Sequence, residues 1–153
     1  MKMKTDFETM NRQAAEMLAE EPWHVAAMSN LSALIMENMA DLNWAGFYLR
    51  RGEGLVVGPF QGKPACIHIP MGKGVCGTTA LRDRTTVVPD VHAFPGHIAC
   101  DSASRSEIVI PLHAEGRVAA VLDIDSPVPD RFSPEDVRGL EELAGLLENA
   151  AVW

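Results

Sequence analysis

Basic residues never gather in this chain, and cysteine is scarce. The 153 residues hold 13 Lys and Arg against 21 Asp and Glu, for a net charge of −8, and the longest basic run is Arg50-Arg51. A phosphate-binding face needs a basic stripe, so nucleic acid is excluded as a partner, and an anionic membrane surface is disfavoured on the same ground. No apolar run reaches the roughly 18–20 residues that span a bilayer. Met1 to Asp6 leads into the polar Asn11-Arg12-Gln13 without an apolar signal segment, which predicts a cytoplasmic protein with no membrane partner. Three cysteines are an odd number, which suits no structural disulfide framework. In a reducing compartment they stay thiols, and any disulfide among them is transient. Internal repeats and low-complexity tracts are also missing.

What is present concentrates in the middle third. Cys66 follows Lys63-Pro64-Ala65, Cys76 sits in Gly72-Lys73-Gly74-Val75-Cys76-Gly77, and Cys100 ends Pro95-Gly96-His97-Ile98-Ala99 before Asp101. A core cysteine normally lies among aliphatic neighbours. Each of these alone would read as a partly buried bystander, but three in loop contexts point to thiol chemistry. Cys76 near a helix start is placed where unpaired N–H groups lower a thiol pKa.

Around them the periodicity is that of an α+β domain. Residues 7 to 39 predict two helices broken at Pro22, the second with Val25, Met28, Leu31, Leu34, Ile35, Met36 and Met39 on its apolar side. Strands are predicted over 44–50 and 55–60 across Arg51-Gly52-Glu53-Gly54, then a short strand at 67–69, a helix over 74–81 and a strand over 85–88. Residues 89 to 104 read as a functional loop. A second strand pair, 107–112 and 118–125, turns at Glu115-Gly116. The last helix starts with Ser133 as N-cap, Pro134 at N1 and Asp136 at N3, and carries Leu140, Leu143, Leu146 and Leu147. This order predicts a central antiparallel sheet with helices packed mainly on one face. The expected division is one domain over 1–153: N-terminal helices over 1–40, sheet and active-site loops over 41–132, and the C-terminal helix over 133–150.

Asp123 and Asp125 flank Ile124 and share a strand face, while Glu107 opens the neighbouring strand. Crowded carboxyls raise the pKa of at least one, leaving a proton donor near neutral pH. Asp125 reads equally as the start of a turn with Ser126-Pro127. Trp44 and Tyr48 share a face of the first strand; core packing is the default for Trp44, whereas Tyr48 could line a pocket. His92, His97 and Cys100 offer zinc-type ligands without paired-knuckle spacing, so no metal is expected. His113 reads as solvent-facing. Gly72-Lys73-Gly74 lacks the spacing of a nucleotide phosphate loop.

Five blocks together carry a resemblance: Asn43 to Tyr48, Gly58 to Cys66, Gly72 to Gly77, Val88 to Asp101 and Leu122 to Pro127. From about residue 40 to 135 the chain resembles the free methionine-(R)-sulfoxide reductases, which are GAF-domain enzymes. The resemblance implies reduction of free methionine sulfoxide in the defence against oxidative stress. It implies Cys100 as the attacking thiol, and Cys66 and Cys76 as resolving cysteines with Cys66 the first partner. Glu107, Asp123, Asp125, Trp44 and Tyr48 become the substrate pocket. No cofactor is implied beyond thioredoxin or a small thiol as external reductant, and the implied assembly is a homodimer. The competing reading is a non-enzymatic GAF sensor of small ligands or oxidants. A third is a zinc hydrolase built on His92, His97 and Cys100.

Overall fold

A computed structural model describes residues 4–97 and 101–153. Helices α1 (Phe7–Glu20) and α2 (His24–Asn38) are separated at Pro22, where proline cannot donate to a continuing helix. Six strands follow, β1 (Trp44–Arg51), β2 (Gly54–Gly62), β3 (His68–Pro70), β4 (Thr86–Val88), β5 (Ser106–Ala114) and β6 (Arg117–Ser126). Helix α3 (Gly74–Arg82) lies between β3 and β4, and α4 (Pro134–Ala150) closes the chain. The strands form one antiparallel sheet in the order β3-β2-β1-β6-β5-β4. The α+β expectation holds, with hairpins joining β1 to β2 and β5 to β6.

Strand alternation divides the core in two. Ala45, Phe47, Ile108, Ile110, Leu112, Ala120, Leu122 and Ile124 face α1, α2 and α4 and are buried against their apolar stripes. Trp44, Tyr48, Val109 and Val121 face the other way, where α3 contributes Val75, Cys76 and Ala80. Three helices thus cover one face, and α3 with its flanking loops covers the other. Helix α3 comes close because Gly77 has no side chain: a Cβ there would lie 2.4 Å from the Pro70 carbonyl oxygen. Its entry needs the left-handed backbone that Gly72 (φ 80°) and Gly74 (φ 61°) accept without cost.

At α4 the Ser133 hydroxyl accepts from the Asp136 N–H at 3.1 Å, and the Asp136 carboxylate accepts from the Ser133 N–H at 2.9 Å. The shorter aspartate therefore completes the capping box. No helix among the described residues is long and apolar enough to cross a membrane.

Candidate active site

The sheet register assembles the site. Glu107 on β5 pairs with Asp125 on β6, which pairs with Trp44 on β1, so the three side chains share one row across three strands. One step along, Val109 pairs with Asp123 and Asp123 with Gly46; further on, Tyr48 pairs with Val121. All of these point away from the three-helix face. Asp125 is therefore a strand residue inside the ladder, which removes the turn reading.

Trp44, Tyr48, Ile69, Cys76, Glu107, Asp123 and Asp125 line one cavity, with Lys63, Pro64, Ala65, His97, Asp101 and Ser104 at its rim and walls. Six of the eight residues singled out in the sequence line it, and Cys66 directly follows the segment from Lys63 to Ala65 that walls it. Cys100 lies outside the described residues. Its neighbour in sequence, Asp101, lines the cavity and accepts from Asn43 Nδ2 at 3.0 Å, and the same Asn43 nitrogen donates to Ser104 Oγ at 3.0 Å.

The carboxyls are close together. Glu107 and Asp123 are buried, and each offers an oxygen within 4.8 Å of the other and of the Cys76 sulfur. Burial is the largest cause that pushes all three acids up, Glu107 and Asp125 well above the usual carboxyl range. The next influence separates them. Glu107 is raised further by the charge of Asp123 and by donating hydrogen bonds to both aspartates. Asp123 is pulled partly back down by hydrogen bonds from Glu107, Cys76 and Asp125. The proton is thus held more firmly on Glu107 and Asp125 than on Asp123. The Asp123 Oδ1 atom is buried with no hydrogen-bond partner.

Cys76 corrects the expectation of a helix-activated thiolate. It is a free thiol, 4% exposed, in the first turn of α3. Burial raises its pKa, and the negative field of Asp123, Glu107 and Asp125 raises it further, outweighing the helix N-terminus. Cys66 is half-buried against the Trp44–Tyr48 cluster and is disulfide-bonded.

Cys76, Glu107 and Asp123 are near enough to surround a cation. Metal binding demands deprotonated ligands, and burial raises the pKa of all three groups, which opposes it. Of the zinc-type residues, His97 lines the cavity, its Nε2 4.0 Å from Glu107 Oε1, and burial lowers its pKa. His92 is exposed in a 3-10 turn.

The aromatic wall is stacked. Trp44 lies 5.0 Å from Phe60 and 5.8 Å from Tyr48, centroid to centroid, at interplanar angles of 16° and 26°. Gly46 permits this, since a Cβ there would stand 2.2 Å from the Phe60 Cβ. Sequence reading missed Lys63, Asp101, Ser104 and His97 as lining residues. Their signal was only that they flank the cysteines within conspicuous Gly and Pro segments. His113 is partly exposed and bridges Asp83 and Glu148.

Comparison with known proteins supplies the family. The GAF domain model matches residues 27–151. The free methionine-R-sulfoxide reductase of Escherichia coli is 51% identical over 146 residues, 95% of this chain and 88% of that protein. A structure of the fRMsr of Staphylococcus aureus in complex with substrate superposes with a TM-score of 0.94 at 45% identity, covering 99% of both chains. The free methionine-R-sulfoxide reductase of Neisseria meningitidis, also in complex with its substrate, gives a TM-score of 0.91 at 41% identity over 98% of this chain and 93% of that one. The acid-lined cavity, the cysteine-bearing segments around it and these matches along nearly the whole chain agree: the chain belongs to the GAF-domain family and, within it, to the free methionine-R-sulfoxide reductases, which are oxidoreductases.

Proposed function

We propose that this chain reduces free L-methionine (R)-S-oxide to L-methionine with Cys100 as nucleophile, residues 1–153 acting as one domain in a reducing cytoplasm. The observation that carries this reading is a cavity in which the buried carboxyls of Glu107 and Asp123, both pushed up by burial, meet beside segments bearing cysteines.

Sulfoxide oxygen is a poor leaving group until protonated. Glu107, whose proton burial holds well above the usual carboxyl range, hydrogen-bonds that oxygen and delivers the proton as the Cys100 thiolate attacks sulfur. The sulfur–sulfur adduct so formed then breaks as its hydroxyl passes from the substrate sulfur to the Cys100 sulfur; the electron pair remains on the departing methionine, which is reduced, and Cys100 is oxidised to a sulfenic acid. The Cys66 thiol condenses with it, releasing water and forming a disulfide. That Cys66 is disulfide-bonded while Cys76 keeps a free, raised thiol supports Cys66 as the resolving residue. Thioredoxin or a small dithiol then returns both sulfurs to thiols. Asp123 balances the substrate ammonium, Asp125 braces the other two acids, and the Trp44 and Tyr48 rings pack on the aliphatic chain of the substrate. The working assembly is a homodimer.

Incubation with free methionine sulfoxide and dithiothreitol tests the reading. Methionine should accumulate from the R epimer, and Cys100→Ser should abolish it even with excess reductant. A chain that consumes no sulfoxide is a sensor. Turnover by Cys100→Ser would move the nucleophile to another cysteine.

A further inference from the structure

Tyr48 does more than line the cavity. Its hydroxyl donates to the carbonyl oxygen of Cys66 itself, at 3.0 Å. Trp44, four residues earlier on the same strand face, donates its indole N–H to the carbonyl oxygen of Lys63 at 3.1 Å. Both ends of the four-residue segment from Lys63 to Cys66 are therefore fastened to β1. This segment belongs to neither β2 nor β3, so no sheet ladder fixes it. The posts are rigid: Trp44 and Tyr48 are 3% and 2% exposed and stack on one another. Burial among the acids also keeps the Tyr48 hydroxyl protonated, so it remains a donor across the working pH range.

We infer that Tyr48 is a positioning residue for the resolving step: its hydroxyl holds the Cys66 backbone where the Cys66 sulfur meets an oxidised Cys100. The hydrogen bond is present with Cys66 disulfide-bonded. It therefore fits the product side of the condensation, in which the Cys66 sulfur bonds to sulfur and the sulfenic oxygen leaves as water. A loose segment would have to search for that geometry, and small misplacements of reacting groups are costly in rate. This inference rests on the proposed pairing of Cys66 with Cys100 and separates the role of the Tyr48 hydroxyl from that of its ring.

Tyr48→Phe keeps the ring and removes the hydrogen bond. Reduced enzyme is mixed with one equivalent of methionine sulfoxide, and two quantities are read on the same sample: methionine formed, and sulfenic acid trapped by dimedone against time. Because the Tyr48 side chain also lines the substrate cavity, methionine formation serves as the internal reference, and the decay of the sulfenic acid should slow clearly more than it does. Decay of the sulfenic acid should slow by about five- to tenfold, the effect expected from losing one neutral hydrogen bond in a rate-determining geometry. Trp44→Phe, which frees Lys63 three residues upstream, should slow the decay less. Equal slowing of methionine formation and sulfenic acid decay would overturn the inference in favour of a general structural role, as would an unchanged decay. Cys66→Ser is the control for the underlying pairing. If its sulfenic acid decays as fast as in wild type, Cys66 is not the resolving thiol and that pairing fails, whatever Tyr48→Phe does.

Discussion

Glu107, Asp123 and Asp125 share one face of adjacent strands, and charging all three there would cost far more than the ladder could return. Folding therefore holds protons that free carboxyls would release at neutral pH. Glu107 binds its proton more tightly folded than unfolded, so its contribution to stability is complete below the ordinary glutamic acid value near 4.5 and is lost as pH rises through the folded value. Activity follows the same direction, because the proton donor disappears as Glu107 ionises. Glu107→Gln keeps the shape and an N–H donor but cannot give up a proton. Its kcat should fall by about two orders of magnitude, and its melting temperature should decline less than that of wild type between pH 5 and pH 9. Melting scans across that range check the stability part, and a variant as steep as wild type would mean that Glu107 is not the group holding the proton. Cys76 belongs to the same system: as a thiol donating to Asp123 it helps fix which acid carries the charge.

Among the elements, α4 has the best-defined start. Asp136 caps Ser133 and also receives Arg131 Nη1 at 2.9 Å, while Arg131 Nε donates to the Ala40 carbonyl oxygen at 3.0 Å. One aspartate thus fastens the helix N-terminus to the turn between α2 and β1. Ser133→Ala should cost about 1 kcal/mol, the usual worth of an N-cap. Asp136→Ala should cost more, about 3 kcal/mol, because the Arg131 side chain is only 9% exposed and would be left without its ion partner. Denaturant titration of both variants measures the difference, and equal losses would show that the ion pair adds nothing to the cap. This start was legible in the sequence because capping is local: Ser133, Pro134 and Asp136 announce it within four residues. The β1–β2 and β5–β6 hairpins were legible for the same reason. The parity of Asp123 and Asp125 was readable too, since a strand fixes it. That Glu107 stands opposite Asp125 was not, because a register set by the bulge after Leu112 cannot be counted from the sequence. Nor was the placement of α3 on the second face. Its glycines gave a helix entry but not the sheet surface it covers, and so Cys76 was read as exposed to a helix terminus rather than to three acids.

Across the whole molecule, that second face is tied to the three-helix side through His113. Its Nδ1 lies 2.6 Å from Glu148 Oε1 on α4, and its Nε2 lies 2.5 Å from Asp83 Oδ1, the residue that ends α3 in a left-handed conformation. The side chain thus spans the edge of the sheet from one helical layer to the other, in a groove that Arg84 and Glu141 also line. Both ring nitrogens facing carboxylates can donate only when the imidazole is protonated. Its hydrogen bond to Asp83 is accordingly the largest influence and raises its pKa above 6.5, with the bond to Glu148 adding to this and burial opposing it. Folded His113 holds its proton more tightly than unfolded, so the clasp stabilises fully below about pH 6.5 and fades as pH rises through the higher folded value. With 37% of the side chain exposed, solvent screens the pairs and the gain is about 1 kcal/mol or less. His113→Gln should therefore melt a few degrees below wild type at pH 6 and together with it at pH 9. Comparing the two proteins at each pH cancels the buried acids, whose contributions change in the same direction but are common to both. A gap that stayed constant from pH 6 to pH 9 would show that His113 packs rather than charges, and the link between the two layers would then be steric.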